Sequence, residues 1–200
     1  MNREEAEKAL GIIRNVIQNT REDLVAHNWG LIWMVHAFIN AAACLAGWYV
    51  ESRGLGIFWY LVPLATAGLF NFIIMLLLAE RDHGVRSYVQ WQIHGIWVSF
   101  IVFTAAFAAV MELKHTDPKL FGSVFAMTSG IGFAMMGVVF SRQFPFAFLF
   151  LAVMLVGPFL PGLQWGLIAL LWWAAMFLPG LSMHREKRRR AHDGTATRLL

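Results

Sequence analysis

Six apolar runs, at residues 28–49, 57–79, 88–112, 119–140, 144–160 and 163–182, leave this chain few folds to choose from. A helix needs about 20 apolar residues to cross ~30 Å of hydrocarbon. All but the fifth run reach that length, and no Lys, Arg, Asp or Glu lies well inside any of them. Glu51, Glu80 and Glu112 stand at the ends. In a bilayer every backbone N–H and C=O must find its partner within the protein, so continuous apolar runs of this kind must be helical. The expected fold class is therefore all-α: a polytopic membrane protein of six transmembrane helices.

Composition agrees. Hydrophobic residues make up 58% and charged residues 14% of the chain, against roughly 45–50% and 25% in a soluble domain. The connections carry the charge and are short: "ESRGLG", "ERDHGVRS", "LKHTDPK" and "SRQ". In "GPFLPG" (157–162) the fifth run turns directly into the sixth. The expected organisation is a cytoplasmic amphipathic helix over 1–27, a six-helix transmembrane domain over 28–182, and a basic, disordered cytoplasmic tail over 183–200.

Lysine and arginine set the expected orientation, because cytoplasmic loops carry the excess. With the N-terminus inside, 13 of the 16 fall on the cytoplasmic side and Arg53, Lys114 and Lys119 lie outside. Short loops and this bias fit a bacterial inner membrane. The isoelectric point near 9.6 comes mostly from "HREKRRR" (184–190). That segment reads as an anchor on anionic lipid, with no nucleic acid implied. Cys44 is the single cysteine, which excludes an intrachain disulfide and a multi-cysteine metal site.

Residues 2–26 read as an amphipathic helix with Leu10, Ile13, Ile17 and Leu24 along one stripe. It either packs on the loops of its own membrane domain or docks a soluble cytoplasmic protein or a second protomer. It carries acidic as well as basic residues, which argues against a lipid-surface helix.

The informative residues are polar ones inside the apolar runs. Two Trp-x-x-His phrases, Trp33/His36 and Trp91/His94, lie near the starts of runs 1 and 3. They suggest that runs 1–2 and 3–4 are repeated helical hairpins. At 1.5 Å per residue, His36 stands ~12 Å and His94 ~10 Å from the cytoplasmic end, and Asn71 ~13 Å above Glu80. Asn40 is one turn beyond His36. An unpartnered polar group in hydrocarbon costs several kcal/mol, so these side chains should face inward and bond to one another.

Such a set serves either as a structural hydrogen-bond network or as the lining of a site for a small neutral or amphipathic solute. In the second case Trp33, Trp91, Trp97 and Tyr60 supply flat walls. Bis-histidine ligation of haem b by His36 and His94 is the remaining alternative, with no other cofactor or metal expected. Small-xxx-small pairs at Ala37/Ala41, Ala43/Gly47 and Ala126/Gly130 mark close helix approach. The Gly- and Ser-rich "TSGIGFAMMG" (128–137) makes run 4 the expected buried helix. The functional expectation is a non-enzymatic membrane partner or regulatory subunit, with a solute transporter or binding protein as the alternative.

Overall fold

The computed structural model describes residues 7, 8, 10, 11, 28–78, 88–160 and 162–197. Six long helices account for most of them: α1 (Trp29–Ser52), α2 (Phe58–Leu78), α3 (Tyr88–Leu113), α4 (Phe121–Val139), α5 (Phe144–Val156) and α6 (Gln164–Thr197). Short 3₁₀ turns at Pro118–Leu120, Ser141–Gln143 and Gly157–Phe159 lead into α4, join α4 to α5, and follow α5. No strand occurs among the described residues. Five of the apolar helices are long enough to cross a bilayer, and the sixth, Phe144–Phe159, is shorter.

The helix ends follow from backbone chemistry. α1 stops in a Schellman motif: Gly54, at φ +61°, donates its N–H to the Glu51 carbonyl, and Leu55 N–H reaches the Val50 carbonyl. Glycine holds that left-handed position without a Cβ clash. α3 ends in the same pair of bonds, His115 to Glu112 and Thr116 to Met111, but with a histidine at φ +50° in the glycine position. Asp117 then caps the turn into α4 by accepting from Lys119 N–H at 3.0 Å.

Neighbours in sequence are mostly neighbours in space, and α6 closes the arrangement by packing along α1. That last contact is the most extensive, and glycine makes it close. A Cβ on Gly30 would lie 2.6 Å from the His184 backbone nitrogen and 2.7 Å from the Gly180 carbonyl oxygen. Towards the other end, the Trp165 ring lies flush against Gly47. Between α2 and α3 the contact is sparse.

The core is aromatic. Trp172 of α6 meets Trp97, Phe100, Phe125, Phe133 and Phe150 at centroid distances of 5.1–6.3 Å. Above it, Tyr60 stacks on Trp165 at 5.4 Å with Phe121 alongside. α4 is the most enclosed of the long helices, as its small residues lead one to expect. α2 is the opposite case: Tyr60 and Ala67 are its buried residues.

One sequence expectation changes. The segment after residue 183 is a direct continuation of α6 as far as Thr197, not a disordered tail. Its run of straight-chain Arg, Lys and Glu residues has good helix propensity, and the helix is already nucleated by its apolar part. The amphipathic stripe over 2–26 lies outside the described residues except for Glu7, Lys8, Leu10 and Gly11, which are helical. The charged group Glu80, Asp82 and His83 also lies outside them.

Candidate functional site

The polar residues at the junction of α1, α2 and α6 form a connected chain. The Asn40 amide donates to the Met176 sulfur at 3.5 Å, and the Asn71 amide donates to Asn40 Oδ1 at 2.8 Å. His36 lies one helical turn before Asn40 and so shares its face. Its Nε2 is 3.1 Å from the Asn71 backbone carbonyl. A carbonyl only accepts, so that nitrogen carries the proton. Asn71 Oδ1 is buried and has no hydrogen-bond partner.

His94 does not join this chain. Its Nε2 lies 3.2 Å from the sulfur of Met75, one turn further along α2 than Asn71, and Trp29 meets its ring edge-on at 6.2 Å. Both histidines therefore contact α2, one through a backbone oxygen and one through a thioether. If runs 1–2 and 3–4 repeated each other in detail, His94 would contact α4. The likeness between the two Trp-x-x-His phrases does not extend to their partners.

The two tryptophans part company. Trp33 is 2% exposed and packs edge-on against Phe140 at 5.2 Å, in a cluster with Ile32, Ile93, Ile96 and Met136. Trp91 is 63% exposed. Ile93 and Ile96 fix the buried face of α3. At about 100° per residue Trp91 falls on the far side of the helix from both. For haem ligation, each histidine Nε2 would first have to leave its α2 acceptor.

Five further polar contacts tie helices together. Thr104 of α3 donates to Thr128 of α4 at 3.0 Å, and the Trp172 indole N–H donates to Ser129 at 3.1 Å. Gln164, at the start of α6, donates to Ser123 at 2.8 Å. A Cβ on Gly122 or Gly157 would collide with its side chain. Gln143 is fully buried in the turn between α4 and α5, with its amide 3.4 Å from the Ala175 carbonyl. Beside it, Arg142 donates to Ser182 at 2.8 Å.

The Gln143 contact has a covalent cause. Pro179 stands four residues after Ala175 and has no N–H, so the Ala175 carbonyl loses its usual helical donor. Pro179 inside an apolar run is the signal that would have pointed to a donor such as Gln143. The Thr and Ser contacts carried no such signal, because in a helix those hydroxyls often bond their own preceding turn. Thr128 and Ser129 do that as well, donating to Phe125 O at 3.1 and 2.7 Å.

Among the described residues, no group of three or more His, Cys, Asp or Glu is placed to hold a metal ion. Comparison with protein-family models, with curated proteins and with solved structures finds no match for this chain.

Proposed function

We propose that this chain is a multi-pass membrane protein with six crossings and both termini in the cytoplasm. It serves as a non-enzymatic membrane partner or regulatory subunit, and its setting is a bacterial inner membrane. The observation carrying the membrane reading is the outer face of α2. Phe58, Trp59, Val62, Leu69, Phe70, Phe72, Ile73, Leu76 and Leu77 are all exposed on one 21-residue helix. A soluble monomer rarely shows an apolar patch above a few hundred Å², whereas lipid tails cover such a face without cost.

The partner reading is supported by the interior. The polar side chains between helices bond mainly to one another and to backbone, which fixes helix register rather than presenting reactive groups. Residues 2–26 supply the docking segment. Deleting residues 2–20 leaves insertion intact and abolishes co-purification of a soluble protein or a second protomer from gently extracted membranes. Unchanged association after the deletion removes the docking role.

A second reading is favoured by one local observation. Asn71 Oδ1 is buried without a partner, and the Asn40 amide bonds to thioether sulfur, a weak acceptor. A small neutral or amphipathic solute with a donor and an acceptor would satisfy these groups better. In that case His36→Ala and His94→Ala abolish ligand-dependent thermal stabilisation or uptake without reducing expression. Full activity in both variants makes the group purely structural.

A further inference from the structure

We propose that Arg142, Arg185 and Arg189 bind the phosphate of an anionic phospholipid, with Leu178 and Phe144 receiving its acyl chains. This rests on the membrane reading above and goes beyond the partner role.

Leu178, Ser182, Arg185 and Arg189 recur along α6 at spacings of four, three and four, which places them on one face. The hydrogen bond from Arg142 to Ser182 draws a third guanidinium from the α4–α5 turn onto that face. The opposite face of α6 is taken by α1, through Gly30 against Gly180 and His184 and through Lys187, which donates to Asn28 Oδ1 at 2.7 Å. The arginine face therefore points away from α1, and all three arginines are exposed.

The change from apolar to charged side chains falls within one turn. Leu178 is 52% exposed, and Phe144, directly after the Arg142–Gln143 turn, is 46% exposed. Past Met183 the sequence is His184, Arg185, Glu186, Lys187, Arg188, Arg189. Even with the Glu186 carboxylate counted against them, the three arginines leave two positive charges. Guanidinium forks match phosphate oxygens in bidentate geometry, which ammonium groups do not. Cations above and an apolar strip below fit a lipid better than a free phosphate ion.

The test measures thermal stability of the detergent-extracted full chain against added phosphatidylglycerol, phosphatidylcholine or inorganic phosphate. Phosphatidylglycerol raises Tm saturably, and the other two do not. In Arg185→Gln/Arg189→Gln, half-saturation needs about thirtyfold more phosphatidylglycerol. Arg188→Gln, about 120° round the helix from Ser182, responds as the wild type. The site is overturned if the double variant keeps the full response, or if Arg188→Gln loses as much, which marks diffuse surface charge. An equal response to phosphatidylcholine or to inorganic phosphate also overturns it. Arg142→Gln is read only by its phosphatidylglycerol increment, because loss of the Ser182 bond lowers its starting Tm. The membrane reading fails separately: alkaline carbonate would then release the chain from cell membranes.

Discussion

The side-chain amide of Gln143 lies 3.4 Å from the backbone carbonyl of Ala175, the carbonyl that Pro179 leaves without its helical donor. A residue in the α4–α5 turn thus completes a helix to which it does not belong. The contact sits beside Arg142–Ser182, so one short turn grips α6 on both sides of its proline.

Removing the donor should cost stability only while the proline is present. Gln143→Met keeps the side-chain length and loses the amide, and should destabilise by about 1–2 kcal/mol. In a Pro179→Ala background the helix supplies its own N–H, and the same change should cost little. A double-mutant cycle on thermal or denaturant unfolding in detergent measures the coupling, and strictly additive effects rule the relationship out.

The Asn40–Asn71 bond should show membrane-scale energetics. Each single alanine variant is expected to lose about 1 kcal/mol, with a coupling in the double variant of about 0.6 to 1.7 kcal/mol. Urea or detergent-titration unfolding reads both. A coupling near zero would mean the two amides do not meet in the protein.

Gly30 and Gly68 should respond in opposite ways to alanine. At Gly30 the new Cβ meets backbone atoms at 2.6 and 2.7 Å, which cannot rotate aside, and the α1–α6 pair must spread. The expected loss is about 1–3 kcal/mol. At Gly68 nothing lies within 4 Å of an added Cβ. Gly68→Ala there should be neutral or gain about 0.5–1 kcal/mol through helix propensity.

His115 occupies a left-handed position that glycine holds at no steric cost. It is exposed, and its backbone N–H already bonds to Glu112. His115→Gly should therefore raise stability, by up to about 1 kcal/mol. A lower Tm would show that the imidazole contributes something the backbone geometry does not reveal.

Particular residues show how far the sequence reaches. The uncharged runs place α1 through α5 and the start of α6 to within a few residues, because a long apolar run must satisfy its own backbone hydrogen bonds. Asn40, Asn71 and His36 were legible as inward-facing, because a polar group buried among apolar side chains must find a partner. The partner of His94 and the outward position of Trp91 were not. Their depth follows from counting residues, but the rotation of α3 is set by Ile93 and Ile96 packing into α1 and α4.

What the sequence alone determined is the number and extent of the apolar helices, the presence of polar groups between them, and the glycines that permit close approach. All of these are properties of a residue in its own turn of helix. Only the tertiary structure decided which groups meet: His36 with the Asn71 carbonyl, His94 with Met75, Gln143 with Ala175. Those pairings depend on the azimuth and depth of each helix relative to its neighbours, quantities fixed by the joint packing of six helices and carried by no single segment.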